Sequence, residues 1–257
     1  MAGKVYLVGS GPGTLGLLSC RGAEVIRRAD VILYDQLPGD EILGSLPETA
    51  ERIDCGKYGS DHTKEQLEIE RLIVEHARAG RIVVRLKGGD PFMFGRGGEE
   101  LEAVRRAGIP VEVVPGITSA IAVPASVGIP LTHRRYTSQV TVVTGHEDPS
   151  KQESAINWAG LAPGTGTIVV LMGVKNLAQI ADILILHGRD PATPVAVIER
   201  GLRRDQRVTV GPLDRIAVLS KERGVRPPAV IVIGGVVELY DPDHPILTPP
   251  EGSTNLL

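Results

Sequence analysis

The sequence has few aromatic residues: two Phe, five Tyr and one Trp among 257. A flat ligand would therefore be held mainly by aliphatic side chains and backbone. Cysteine is equally scarce, with two in all. Cys20 and Cys55 make neither a disulfide framework nor a metal cluster, and His62 and His76 have no second ligand at metal spacing. No run reaches the ~18 apolar residues of a membrane span. Met1 to Gly9 enters a strand pattern directly, with no basic segment, apolar stretch and cleavage site, so no signal peptide is expected. An excess of positive charge is also missing. The formal net charge is -3, unlike the basic footprint of a general nucleic-acid binder. No period of about 20 to 50 residues marks a solenoid. A cytoplasmic protein that engages neither nucleic acid nor membrane is the expectation these absences leave.

What is present is material for a core: 42% hydrophobic residues against 23% charged, in a length that suits one large or two medium domains. The chain is organised around Arg85-Leu-Lys-Gly-Gly-Asp-Pro-Phe-Met-Phe-Gly-Arg-Gly-Gly-Glu-Glu100. This stretch follows the β-branched run Arg81 to Arg85, a strand, and precedes helical spacing from Leu101 to Ala107. A plain strand-to-helix link needs about 2 to 6 residues and no such density of glycine and charge. In open α/β sheets ligands sit at the carboxyl ends of strands, and glycines there let a ligand approach the backbone.

Other strand ends carry similar turns. Lys4 to Val8 runs into Gly9-Ser-Gly-Pro-Gly13, a helix follows, and the strand Ala29 to Tyr34 ends on Asp35. That order imitates a dinucleotide fingerprint, but the glycine spacing is imperfect and Pro12 removes an N–H that a pyrophosphate would use. Residues 36 to 63 read as irregular except for a strand over Arg52 to Cys55. Thr63 and Gln66 offer a capping box to a helix that Gly80 ends. Ile109 to Val114 is a strand ending in Pro115-Gly-Ile-Thr-Ser119, where Thr118 can cap the next helix. Beyond Arg134 lie strands at 139–146, 167–172, 194–198, 207–210 and 230–233, with a helix capped by Asn176 between the second and third. The link from Glu199 to Arg207 is too short for a helical crossover, so the strands it joins should pair antiparallel. The expected fold is two α/β domains, 1–134 with a mostly parallel sheet and 135–240 with a mixed sheet, a cleft between them, and a disordered tail over 241–257.

Several segments together carry a resemblance. They are Val5-Tyr-Leu-Val-Gly-Ser-Gly-Pro-Gly13, Leu33-Tyr-Asp35, Gly56-Lys57, Val84 to Glu100, Val113 to Ser119, Gly128-Ile-Pro-Leu-Thr-His-Arg134, Val143-Thr-Gly-His146 and Leu171-Met-Gly173. In order across residues 4 to 238, they resemble the uroporphyrinogen-III C-methyltransferases of the tetrapyrrole methylase superfamily. The resemblance implies S-adenosyl-L-methionine as methyl donor, S-adenosyl-L-homocysteine as product and no metal. It implies a tetrapyrrole acceptor with eight carboxylates, methylated at C2 and C7 to precorrin-2 for sirohaem and cobalamin, by a homodimer.

Carried over residue by residue, donor contacts fall on Pro12, Gly88, Gly89, Asp90, Met93, Thr118, Ser119, Met172 and Gly201. Acid–base roles fall on Asp35 and Lys57, with Arg96 and Glu99 in a segment that related enzymes also use. Arg96, Arg134, Arg135 and Lys57 are the natural counter-charges for substrate carboxylates. Phe92 and Phe94 read as packing that fixes the loop rather than as stacking surfaces. Thr14, Gln36 and Leu202 depart from the family pattern, which bears on the substrate pocket. Competing readings are a methyltransferase for a later precorrin, a dinucleotide-dependent oxidoreductase and a non-catalytic donor-binding protein.

Overall fold

The computed structural model describes residues 3–56, 66–147 and 154–244. They fall into two compact units, one built on Met1–Thr118 and the other on Ser119–Pro249. The first holds strands β1 (Lys4–Gly9), β2 (Val31–Tyr34), β3 (Glu51–Asp54), β4 (Ile82–Lys87) and β5 (Val111–Val114). Its helices are α1 (Cys20–Arg27), α2 (Asp40–Gly44), α3 (Gln66–Arg78) and α4 (Gly97–Arg106). The strand order is β3-β2-β4-β1-β5, and every pairing is parallel.

Alternation along the strands builds this unit. Val5, Leu7, Val31, Leu33 and Val83 face Ile73 of α3 and Val104 of α4. Tyr6, Val8, Ile32, Val84 and Leu86 face Val25 and Ile26 of α1. The two faces follow from the two-residue period of a strand. Each such side chain contributes about 1.5–3 kcal/mol when fully buried. Helix α1 starts where the Ser19 hydroxyl accepts the Gly22 N–H at 3.0 Å. Because all five strands run one way, all five carboxyl ends open at one edge.

The second unit holds α5 (Ser119–Ser126), β6 (Val140–Thr144), α6 (Trp158–Leu161), β7 (Thr167–Leu171), α7 (Leu177–Leu186) and β8 (Pro194–Glu199). It continues with β9 (Arg207–Pro212), α8 (Ile216–Glu222) and β10 (Ala229–Ile233). The order is β6-β7-β10-β8-β9. Only the β6–β7 pairing is parallel; β8 and β9 form the antiparallel pair that their short link dictates. One face packs on α7 and α8 through Ile168, Val170, Val197, Ile180, Leu184 and Ile216. The other packs on α5.

Three sequence expectations need correction. The units divide after Thr118, not after Arg134. The reason is that Ala120 and Val123 of α5 bury against Val169, Val230 and Val232 of the second sheet. Asn176 sits at the start of α7, but its side chain does not cap it. Its amide donates instead to the carbonyls of Gly145, His146 and Glu147, at 2.8, 3.3 and 3.1 Å, fastening the loop after β6. The stretch after Asp35 is not wholly irregular, since it holds α2. Helices α6 and α8 were also unannounced; α6, at four residues, is too short to leave a periodic signal. Thr63, His62 and residues 245–257 of the expected tail lie outside the described residues.

Candidate active site

The carboxyl edge of the first sheet is assembled by glycines packed against backbone. Gly11 and Gly89 exchange N–H···O bonds at 3.1 and 2.8 Å, joining the loops after β1 and β4. A Cβ on Gly116 would stand 2.2 Å from the Gly89 carbonyl oxygen, and one on Gly9 2.5 Å from the Gly116 nitrogen. A Cβ on Gly88 would stand 2.3 Å from Cβ of Leu37, in the loop after β2. Four of the five strand ends thus meet at distances only glycine permits. Pro12, Gly88, Gly89, Asp90 and Met93 are brought together this way, and Thr118 lies two residues beyond Gly116 in the loop after β5. The smallness of Gly88 serves Leu37 rather than leaving space for a ligand, so what the loop offers a ligand there is backbone N–H and C=O.

Asp90 is a fastener in this arrangement. One carboxylate oxygen accepts the Phe92 N–H at 2.9 Å, and the other accepts the Gly116 N–H at 3.1 Å. It fixes the β4 loop to the β5 loop and adds negative charge. Beyond it the loop turns outward. Phe92, Met93 and Phe94 are 53%, 38% and 41% exposed, and Leu37 is 58% exposed. The two phenylalanines, expected as packing that fixes the loop, also present about half of their surface as an apolar rim, and Phe92 packs against Gly97, where a Cβ would stand 3.0 Å from its ring. Such exposed apolar surface at strand ends marks a binding site more than a stability device. Phe94 and Arg96 hold left-handed backbone, at φ 54° and 58°. Non-glycine residues adopt that region at a cost, and they cluster at functional loops.

Beneath the rim lies a charged cluster that sequence reasoning missed. Arg85 and Lys87 are alternate residues of β4 on the α3/α4 face, with side chains 4% and 6% exposed. Both donate to one oxygen of Glu100, which is 0% exposed, from Nε of Arg85 and Nζ of Lys87, each at 3.0 Å. Nη2 of Arg85 reaches Asp35 Oδ2 at 3.4 Å, while Asp35 Oδ1 accepts the Leu37 N–H at 2.9 Å. Burial pushes the Lys87 ammonium down and neighbouring Arg85 pushes it further, with Glu100 opposing both. Burial also works against the Arg85 charge, but Glu100 and Asp35 outweigh it and raise the guanidinium. The signal was present as Arg85 and Lys87 two residues apart in an apolar strand, with Glu100 one element later. In the sequence they stand as the frame of a motif; in the fold they are its interior.

The remaining candidates separate. Arg96 and Glu99 find each other: Nε of Arg96 donates to Glu99 at 2.8 Å in a pair 60% and 51% exposed. Lys57 lies outside the described residues. In the second unit Ser119 opens α5, Met172 follows β7 with φ 57°, and Gly201 follows β8 between left-handed Arg200 and Leu202. A Cβ on Gly201 would come within 2.5 Å of the Val123 side chain, so this glycine lets α5 pack close. Leu202 is fastened through its N–H to Gln206 Oε1 at 2.6 Å, which gives this departure from the family pattern a local structural role. Gln36 donates to Asp54 at 3.0 Å. Arg134 and Arg135 are exposed on the turn bridged by His133 and Thr137. Among the described residues no three His, Cys, Asp or Glu side chains gather as a metal site, and no helix is long and apolar enough to cross a membrane.

A glycine-packed strand edge with an apolar rim and paired charges is the kind of edge at which open α/β sheets take small-molecule ligands. The chain belongs to the tetrapyrrole (corrin/porphyrin) methylase family, whose model matches residues 4–217. It is 59% identical to the S-adenosyl-L-methionine-dependent uroporphyrinogen III methyltransferase of Methanosarcina barkeri, over 93% of this chain and 94% of that one. It is 49% identical to siroheme synthase 1 of Cronobacter sakazakii over 93% of this chain, which spans 50% of that longer protein. Among solved structures, the uroporphyrin-III C-methyltransferase of Thermus thermophilus complexed with S-adenyl homocysteine is 40% identical. It matches with a TM-score of 0.79 over 92% of this chain and 100% of that chain.

Proposed function

We propose that this chain transfers methyl groups from S-adenosyl-L-methionine to C2 and C7 of uroporphyrinogen III, giving precorrin-2 and S-adenosyl-L-homocysteine. The observation that carries the reading is 59% identity to a relative of that name over 94% of its length. The rim fits the donor. A sulfonium is a cation, and the two buried cations below the rim are neutralised by Glu100 and Asp35. Exposed Met93 and Met172 offer polarizable apolar surface, and Asp90 offers negative charge. Pro12, Gly88, Gly89, Asp90, Met93, Thr118, Ser119, Met172 and Gly201 are the proposed donor contacts.

The donor supplies an electrophilic methyl group, and the pyrrole β-carbon is already a nucleophile. The chain's task is to align the two and take up a proton as the ring rearranges. Asp35 is the proposed acid–base group, with Lys57, Arg96 and Glu99 beside it in the assignment. Arg96, Arg134, Arg135 and Lys57 are the proposed partners of substrate carboxylates. For Arg96 this requires exchange of the Glu99 pair for a substrate pair. A cytoplasmic homodimer completes the reading, and sedimentation velocity checks the dimer.

An oxygen-free assay with uroporphyrinogen III and labelled donor, read by absorbance and product mass, tests the proposal. A doubly methylated product is expected. Methyl transfer only to an already methylated macrocycle would instead assign a later precorrin, and no transfer at all would sink the enzyme reading. Arg96→Ala should lose tetrapyrrole binding or turnover while retaining donor affinity; unchanged turnover would remove Arg96 from the site.

A further inference from the structure

Four charges on one face of the first sheet are linked in a line that runs from the interior to the rim. Lys87 Nζ and Arg85 Nε share one oxygen of Glu100, and Arg85 Nη2 continues to Asp35. Exposure rises along the line only at its end: 0% for Glu100, 4% and 6% for the two cations, 22% for Asp35. The plane of the Arg85 guanidinium is locked as well, because Nη1 donates to the Leu33 and Leu86 carbonyls at 3.3 and 3.0 Å. Gln66 of α3 adds a contact to the same Glu100 oxygen at 3.4 Å.

Stability alone does not explain the line. The face around it is apolar: Val5, Leu7, Leu33, Val83 and Val104 are all completely buried. Replacing a buried ion network with well-packed apolar residues is commonly neutral or stabilising. This network also keeps an unpaid cost, since the second Glu100 oxygen is buried without a partner. Among the described residues its outlet is Asp35, whose two oxygens are held separately, one by Arg85 and the other by the Leu37 N–H. A carboxylate fixed at both oxygens has a set orientation and a set free lone pair. Lys87 ties the same line to the loop above: a Cβ on Gly95 would meet Lys87 Cε at 3.3 Å, and the Lys87 carbonyl accepts the Ser10 N–H at 2.8 Å.

We infer that Arg85 is a positioning residue for Asp35, that Glu100 fixes Arg85, and that Lys87 supplies the second cation that holds Glu100 in place. The inference rests on the reading of Asp35 as the acid–base group. Arg85 and Glu100 touch neither methyl donor nor macrocycle; they act through the Asp35 carboxylate.

The test is a double-mutant cycle in the uroporphyrinogen III assay. Arg85→Lys keeps a cation for Glu100 but shortens the fork that reaches Asp35. It should lower kcat by about tenfold to a hundredfold, the scale of a small misplacement in an active site. Donor affinity and the KM for the tetrapyrrole should stay within about threefold, a split that loss of fold would not produce. In an Asp35→Asn background the same substitution should have no further effect on kcat. Glu100→Gln, run through the same cycle, gives the second route should Arg85→Lys fail to accumulate as folded protein. An undiminished kcat loss in the Asp35→Asn background would overturn the inference. Full activity of Asp35→Asn by itself would instead overturn the assignment of Asp35, so the two failures are distinguishable.

Discussion

The two sheets treat their strand ends differently. In the first, five parallel strands open at one edge, and charge is drawn inside beneath it: two cations and Glu100, all under 7% exposed on their side chains. In the second, antiparallel pairing of β10 and β9 leaves only β6, β7 and β8 ending together, and the chemistry there is conformational. Met172, Arg200 and Leu202 are left-handed, and Gly173 and Gly145 pack so closely that a Cβ on Gly145 would stand 2.4 Å from the Gly173 Cα. Among the described residues Glu199 is the buried charge at that end, and it meets an Arg207 that is 51% exposed. The difference is that the first unit buries paired charge beneath its strand ends, whereas the second holds left-handed backbone and close glycine packing at its own.

The largest way to break this comparison is to neutralise one buried carboxylate in each unit. Glu100→Gln leaves two interior cations facing a single carboxylate, Asp35, and should cost about 3–5 kcal/mol. Glu199→Gln releases an arginine that water already reaches, and at most weakens the bonds from Arg207 at 2.7 Å and the Arg226 N–H at 3.0 Å. Its cost should be about 1 kcal/mol. Denaturant midpoints of the two variants decide the matter. Equal losses would show that the first edge is no drier in its energetics than the second.

These particulars also show what the sequence could disclose. The strands of both sheets were legible because β-branched runs such as Thr167 to Leu171 need no partner to be recognised. The antiparallel β8–β9 pair followed from chain length alone. The central loop was legible as a site because its composition exceeds what a connection needs. Its internal partition was not. Whether Gly88 faces a ligand or Leu37, and whether Arg96 meets a macrocycle or Glu99, depends on contacts set by chain geometry, to which composition is blind. The buried line from Glu100 to Asp35 was hidden for the same reason. Its linked pairs are 13, 15 and 50 residues apart in sequence, and β2 and β4 become neighbours only in the sheet. The division after Thr118 escaped because α5 follows β5 through a turn like those inside the first unit and declares its unit only by packing.

A smaller effect sharpens the same contrast through glycine. Gly116→Ala places a methyl 2.2 Å from a backbone oxygen and 2.7 Å from the Gly9 backbone, neither of which can rotate away. It should cost about 2–3 kcal/mol and reduce donor affinity, because the loops after β1, β4 and β5 must separate. Gly201→Ala meets the Val123 side chain first, at 2.5 Å, and side-chain atoms yield more readily than backbone, so it should cost less, about 1 kcal/mol. Unfolding midpoints measured with and without donor separate the two.

The smallest effect contrasts the dry charges of the first unit with its wet ones. Glu112 on β5 is held by Arg21 and then Lys4, at 2.8 Å to each, and these hydrogen bonds draw its carboxyl down to about 2 from 4.5. A lowered carboxylate pKa contributes stability that is fully present above the unfolded value and is lost as pH falls from there toward the folded one. The window is therefore about 4.5 down to about 2. The side chain is 31% exposed and its partners more so, which leaves screening to reduce the contribution to about 1 kcal/mol. Glu112→Gln should lower the unfolding free energy from urea titration by that amount near neutral pH, and the difference should shrink as acid protonates the native carboxylate. About 1 M salt should also shrink it, because the Debye length there is only ~3 Å. Glu100→Gln should keep its deficit in the same salt, since ions do not enter a network whose side chains are 0–6% exposed. A salt-sensitive Glu100 deficit would mean that the line from Lys87 to Asp35 is open to solvent, and the contrast between the two edges would then be one of arrangement alone.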